Sequence, residues 1–225
     1  MQNEYLKKQN DYFSSLFKKY GFSVNSLHWN SEGTQNKRFV ELLKIFLLCD
    51  TAGTVRLLDF GCGLGHLYKF LHDYDIITSL KIDYVGADIN DQFIKEAQRN
   101  FPDARFRIKD ETVYDEEYGF VFCSGIFNLK FSEEFDIDRY YVEEISRLFK
   151  TAKYGVGVNF QSKEGLEMIP KKDLKKELKK FYFHDEAKVM ENLKTITLNI
   201  RMSKGYLPND FTVYLLHERD NYAKT

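Results

Sequence analysis

The sequence predicts an α/β fold in which a mostly parallel sheet carries helices on both faces behind an N-terminal helical cap. Three observations carry the prediction. The stretch Val55-Arg56-Leu57-Leu58-Asp59-Phe60-Gly61-Cys62-Gly63-Leu64-Gly65-His66-Leu67 reads as a buried strand, a tight loop with glycines at alternate positions, and a helix start. Strand and helix patterns then alternate along the chain until a closing strand hairpin. Finally, polar groups fall where successive strands should end: Asp59, Asp88, Asp110 with Glu111, and Ser124 with Gly125.

Composition bounds the rest. At 225 residues with 43% apolar content, one hydrophobic core serves the whole chain, so residues 1–225 read as a single domain with a helical cap over 1–50 and an α/β core over 51–225. A formal net charge of -1 offers no electrostatic footprint for a polyanion, which argues against nucleic acid as the partner. Cys49, Cys62 and Cys123 are too widely spaced for a metal site or a disulfide framework and read as reduced thiols of a cytoplasmic protein. The N-terminus lacks the pattern of a secretory signal, and no apolar run approaches the ~20 residues of a membrane helix.

In chain order, Tyr5, Tyr12, Phe13, Leu16, Phe17 and Tyr20 lie near one face of a helix over 4–20 that Gly21 stops. Residues 26–35 are polar and irregular yet hold the only tryptophan, Trp29. A second helix spans 36–48, with Arg38 near its start. After the glycine loop, Leu64, Leu67, Tyr68 and Leu71 form a buried helical stripe, and a polar turn at 72–75 leads to a strand over 81–88. A helix over 91–100 ends before Pro102, and strands follow at 104–109 and 118–123. A long helix through Ile137, Tyr141, Ile145 and Leu148 precedes a strand over 156–160. Residues 171–180 hold six lysines opposite Leu174, Leu178 and Phe181, which reads as a solvated helical face or a docking surface for an anionic substrate. A short helix from 185 precedes strands over 193–200 and 211–217, joined by a connection containing Gly205 and Pro208.

The glycine loop is a cradle for a polar ligand, because glycine lets a ligand approach the backbone at a helix N-terminus. A dinucleotide fingerprint needs a third glycine where this chain has His66, and no lysine followed by Ser or Thr supplies a P-loop. An acid at the carboxyl end of the second strand, Asp88, suits the hydroxyls of a ribose. The run Leu58-Asp59-Phe60-Gly61-Cys62-Gly63-Leu64-Gly65 resembles the first motif of class I S-adenosylmethionine (SAM)-dependent methyltransferases. Over residues 26–217 the resemblance implies a Rossmann-like, seven-stranded, mostly parallel sheet with an antiparallel last strand. More narrowly, His28-Trp29-Asn30-Ser31 with Gln35 and Arg38, Ser124-Gly125-Ile126-Phe127-Asn128-Leu129-Lys130, Val158-Asn159-Phe160 and residues 206–214 resemble small stand-alone bacterial methyltransferases associated with capsule and surface-polysaccharide gene clusters.

That resemblance implies SAM as cofactor, S-adenosylhomocysteine as product, no metal, and a small-molecule acceptor such as a sugar, a nucleotide-sugar or a phosphate-type intermediate. It implies Asp59, Gly61, Gly63 and Gly65 around the methionine portion, Asp88 with Ile89 at the ribose, Asp110 and Glu111 near the adenine, and Ser124 with Gly125 at the methionine end. Arg38 would pair with the cofactor carboxylate, with Trp29 and Gln35 closing over the same end. His28 is the expected base, and Asn128, Lys130, Asn159 and Asp210 the expected acceptor contacts. Two other readings stay open at this point: a nucleotide-dependent oxidoreductase using NAD, and a SAM-binding or interaction module without catalysis.

Overall fold

Residues 118–124 alternate in a way that decides the sheet. Phe120 and Phe122 join one half of the core, Val121 and Cys123 the other, and all four are fully buried. A strand apolar on both sides needs helices on both faces, the usual setting of parallel strands joined by crossovers. The computed structural model describes residues 2–28 and 31–218. Its strands are β1 (Val55–Phe60), β2 (Ile82–Asp88), β3 (Arg105–Ile108), β4 (Tyr118–Ser124), β5 (Ala152–Gln161), β6 (Ile200–Lys204) and β7 (Asp210–Leu216). They form a seven-stranded sheet in the order β3-β2-β1-β4-β5-β7-β6. The β1–β2, β1–β4, β2–β3 and β4–β5 pairs are parallel, while β7 runs antiparallel to both its neighbours.

Helices α1 (Gln2–Tyr20) and α2 (Glu32–Leu43) precede the sheet, and α3 (His66–Asp73), α4 (Ile76–Ser79), α5 (Asp91–Asn100), α6 (Ile137–Thr151), α7 (Lys171–Lys180) and α8 (Glu186–Leu193) are interleaved with its strands. On one face, Phe39, Leu42 and Ile45 pack with Leu67, Leu71, Ile94 and Phe122. On the other, Tyr141, Ile145, Leu148, Val189 and Leu193 pack against Leu58, Val121 and Val158. Helix starts are capped by the side chains that local sequence offers: Asn90 Oδ1 accepts from the Gln92 and Phe93 amides at 3.0 and 3.1 Å, and Asp136 and Asp185 cap α6 and α8. Among the described residues, no helix is long and apolar enough to cross a membrane.

Several boundaries differ from the sequence expectation, each for a local reason. The supposed sixth strand at 193–200 is displaced to Ile200–Lys204, because Val189 and Leu193 form the buried stripe of α8. An edge strand with mostly exposed side chains, Arg201 among them, carries little apolar signal. Between α3 and β2 the chain inserts the helical turn α4 rather than a bare polar turn. The second helix starts at Glu32, four residues before the expected position, because Ser31 Oγ accepts from the Thr34 amide at 3.2 Å and caps it there. Strand β5 also extends four residues upstream of its apolar run, to Ala152, through its pairing with β4.

The cap is tied down from both ends. Tyr5 stacks on Phe135 with ring centroids 3.8 Å apart, and its hydroxyl donates to the Leu129 carbonyl at 2.6 Å. Further along α1, Phe13 and Phe17 meet the edge of Phe93 on α5. Helix α7 hangs from the loop after β4: the Lys130 amide donates to the Lys180 carbonyl at 2.7 Å, and the Tyr182 amide to the Asn128 carbonyl at 2.7 Å.

Candidate active site

Strand order reverses between β1 and β4, and in such sheets the crevice at the carboxyl ends of the strands is where ligands bind. A cavity of about 590 Å³ lies there, with the glycine loop, the β2 and β4 ends, α1, α2 and α7 around it. Gly61 and Gly63 both have positive φ, +82° and +55°. A Cβ on Gly63 would sit 2.7 Å from Leu27, and one on Gly61 would run into Ile126, so only glycine leaves this backbone open to a ligand. Asp88 Oδ2 accepts from the Gly63 amide at 2.9 Å and Oδ1 from the Asn90 amide at 2.8 Å. Each oxygen keeps a further lone pair for a ligand donor. Ile89, Ser124 and Gly125 complete this end, and Ser124 Oγ is buried without a hydrogen-bond partner among the described residues.

Asp59 lies under the loop, 3% exposed, and accepts from the Tyr84 hydroxyl at 2.7 Å. Burial pushes its carboxyl up to about 7, against the opposing hydrogen bond from Tyr84. His66, where a dinucleotide fingerprint would have glycine, is buried in the lining, its Nδ1 without a partner among the described residues, and burial lowers it to about 4.

At the cap end, His28 adopts the left-handed conformation, φ +60°, and its Nδ1 shares a 2.5 Å hydrogen bond with the Tyr12 hydroxyl. Its ring lies 5.2 Å from that of Phe181. Burial, then the charges of Lys180 and Lys176, holds His28 below the ordinary histidine range. From α2, Gln35 and Arg38 reach the lining, both buried. Because β7 is antiparallel, its first residue, Asp210, pairs with Gln161 at the same sheet edge. Arg38 Nε and Nη2 donate to its two carboxylate oxygens at 2.6 and 2.5 Å. The sequence expectation assigned this fork to a cofactor carboxylate and this carboxylate to an acceptor; in the structure the two are paired with each other. Two opposite charges buried together must be matched, and each is the other's match.

Of the expected residues, His28, Gln35, Arg38, Asp59, Gly61, Gly63, Asp88, Ile89, Ser124, Gly125, Asn128 and Asp210 line the cavity. Five do not. Asp110 is exposed and is spent locally, accepting from the Thr112 amide at 3.0 Å and pairing with Arg107, and Glu111 pairs with Arg147. Gly65 packs under Phe106 at the start of α3. Lys130 pairs with Glu133 at 2.6 Å, and Asn159 is fully buried, donating to Thr212 at 2.6 Å. Trp29 lies outside the described residues.

Sequence reasoning missed Lys109, Gln161, Tyr12 and the inward face of α7. Lys109, one residue before the expected acid, lines the cavity with its ammonium 4.9 Å from the Phe60 ring and 3.4 Å from Glu144. Gln161 lies two residues beyond Asn159, so extending the strand alternation would have found it. Asp173, Lys176 and Glu177 of α7 face the cavity at helical spacing, while most of its lysines are exposed.

The sheet order, the reversed final strand and a glycine loop at the switch point define the fold of class I SAM-dependent methyltransferases. Solved structures of that fold match over nearly the whole chain. The magnesium protoporphyrin IX methyltransferase ChlM from Synechocystis, solved with bound SAM, is 17% identical, with 95% of this chain and 97% of that one covered at a TM-score of 0.63. The plantazolicin methyltransferase BamL, solved with a triazolic desmethylPZN analog and SAH, is 12% identical over 95% of this chain and 96% of its own at a TM-score of 0.63. A SAM-dependent methyltransferase from Clostridium acetobutylicum is 12% identical over 92% and 98% of the two chains at a TM-score of 0.57. No family model and no curated protein sequence matches the chain.

Proposed function

We propose that this protein is a SAM-dependent methyltransferase acting on a small polar acceptor, on oxygen in preference to nitrogen. The observation that carries the reading is the convergence of Gly61, Gly63, Asp88 and Ser124 on one cavity at the switch point of a methyltransferase-type sheet. These residues fit the cofactor. The loop has no room for side chains of its own, Asp88 is held by two amides with lone pairs to spare, and Ser124 Oγ lacks a partner among the described residues. When bound, SAM supplies a methyl carbon on a sulfonium, open to in-line attack by an acceptor oxygen or nitrogen.

The chain's own part is positioning. Asp88 accepts the ribose hydroxyls, the Gly61–Gly63 backbone and Asp59 hold the methionine end, and Ser124 and Gly125 border it. Holding two reactants in line contributes on the order of 7–11 kcal/mol when the geometry is good. His28 accepts the proton of an acceptor hydroxyl on Nε2, with Tyr12 holding Nδ1. Its lowered pKa keeps the imidazole neutral near pH 7, the form a base requires. The resemblance to methyltransferases of capsule and surface-polysaccharide clusters supports a sugar, nucleotide-sugar or phosphate-type acceptor.

The test is equilibrium binding of SAM and NAD to the purified protein, followed by mass spectrometry of acceptor pools incubated with labelled SAM. SAM binding and a labelled product are expected. NAD binding without SAM binding ends the proposal, and SAM binding with no product from any pool favours a binding module instead.

A further inference from the structure

We infer that the acceptor is a neutral, hydroxylated molecule whose hydroxyl sits on the paired amides of Asn128 and Gln161; the inference rests on the methyltransferase reading and narrows it to a substrate class. Asn128 follows β4 and Gln161 ends β5, so the parallel pairing of those strands brings both to the sheet edge that lines the cavity. The Gln161 backbone amide donates to Asn128 Oδ1 at 3.0 Å. A backbone amide only donates, so this bond fixes which end of the Asn128 side chain is oxygen. Its Nδ2 is left without a partner among the described residues, in a residue 3% exposed. Gln161 Oε1 is likewise buried and has no partner among the described residues. Two residues of the cavity lining thus hold an unused donor, Asn128 Nδ2, and a Gln161 side-chain amide whose orientation no hydrogen bond fixes.

Ligand chemistry follows by elimination. An ammonium group only donates and leaves Asn128 Nδ2 unpaired. A hydroxyl satisfies both residues. A carboxylate or phosphate dianion only accepts; Asn128 Nδ2 and a turned Gln161 amide would serve it as they serve a hydroxyl, so charge has to separate the two. Charge disfavours the anion, since Asp173 and Glu177 of α7 line the cavity with Lys176 while Lys109, also in the lining, is paired with Glu144. Arg38 is paired with Asp210, and Lys130 is paired with Glu133 outside the lining. Phe181 adds an apolar wall suited to the C–H face of a sugar ring or another alicyclic ring.

The experiment measures methyl transfer from labelled SAM to methyl hexopyranosides, the matching amino sugars and the matching sugar phosphates, with wild type, Asn128→Asp and Gln161→Leu. Asn128→Asp keeps an oxygen for the Gln161 amide and replaces only the donor. Pyranosides are expected to exceed both charged probes in kcat/KM by about tenfold or more, and each substitution should lower it by about tenfold or more, with the SAM Kd unchanged within about twofold. Preference for an amine or a phosphate, or full activity of Asn128→Asp, overturns the inference. Wild type that binds SAM yet methylates none of the probes overturns it while leaving the cofactor reading intact. Failure to bind SAM at all removes the methyltransferase reading first.

Discussion

Asp88 is held from two sides by backbone amides, so its carboxylate is in place before a ligand arrives. Asp88→Ala should weaken SAM binding by about 10- to 100-fold, the worth of hydrogen bonds to a charged group, as titration calorimetry would show; unchanged affinity would remove Asp88 from the site. Asp59 offers a second check. At about 7 its carboxyl is partly protonated at neutral pH, and an ammonium beside it favours the ionised form. Cofactor binding between about pH 6 and 7 should therefore release protons, seen as a binding enthalpy that changes with the ionisation enthalpy of the buffer. Equal enthalpies in two buffers would mean that no cation meets Asp59. Both acids were legible as strand ends next to glycines. Asp110 looked alike in sequence and differs because its own helical turn consumes it: Thr112 and Arg107 sit within reach, and a short acid after a strand serves a local cap as readily as a ligand.

At the scale of elements, the cavity depends on how the cap is fastened. Arg38 joins α2 to the start of β7, both side chains almost fully buried. Asp210→Ala should cost about 3–5 kcal/mol in urea unfolding, since it strands a buried guanidinium, and a combined Arg38→Met and Asp210→Leu change should recover most of the loss. A loss of only a few tenths from the single change would show that water replaces the carboxylate. Tyr5 fastens α1 in the same manner, to the Leu129 carbonyl and the Phe135 ring. Tyr5→Phe removes one buried hydrogen bond, worth about 1 kcal/mol, and should speed amide exchange in α1 ahead of the sheet. The amphipathic pattern of α1 was legible from its aromatic spacing. Its attachment was not, because Leu129 contributes only a backbone carbonyl, which every residue carries.

For the whole molecule, buried histidines set the acid side of stability. His184 is 4% exposed, its Nε2 meets the Phe127 carbonyl at 3.1 Å, and burial lowers it to about 4. Between that value and the ordinary histidine value of about 6.5, the unfolded chain binds a proton that the native one does not, so stability rises with pH across this window. His66 acts in the same direction. Asp59 acts in the opposite one, because its raised carboxyl is protonated in the native protein while already ionised in the unfolded chain. His184→Gln keeps an N–H for the Phe127 carbonyl without titrating. It should flatten the slope of stability between about pH 4 and 6.5 by up to about 1.4 kcal/mol per pH unit, measured by urea unfolding across that range. An unchanged slope would show that His184 is charged in the native protein.

Read alone, the sequence determined the α/β class, the alternation of strands and helices through β5, the glycine loop and the strand-end acid Asp88. These are local properties: hydrophobic period, glycine placement and capping residues act within a few positions of themselves. Tertiary structure alone decided which polar groups meet. Arg38 and Asp210 are 172 residues apart, and only the antiparallel register of β7 brings Asp210 to the edge beside Gln161. The same holds for Asn128 and Gln161, whose neighbours specify strand ends and not partners. Lysine-rich α7 read as a solvated face or a docking surface for an anionic substrate, and most of its lysines are exposed; its place over the cavity comes from backbone bonds between residues 128–130 and 180–182. Such bonds use groups common to all residues, so their choice of partner is written in the packing of the entire chain rather than in any stretch of it.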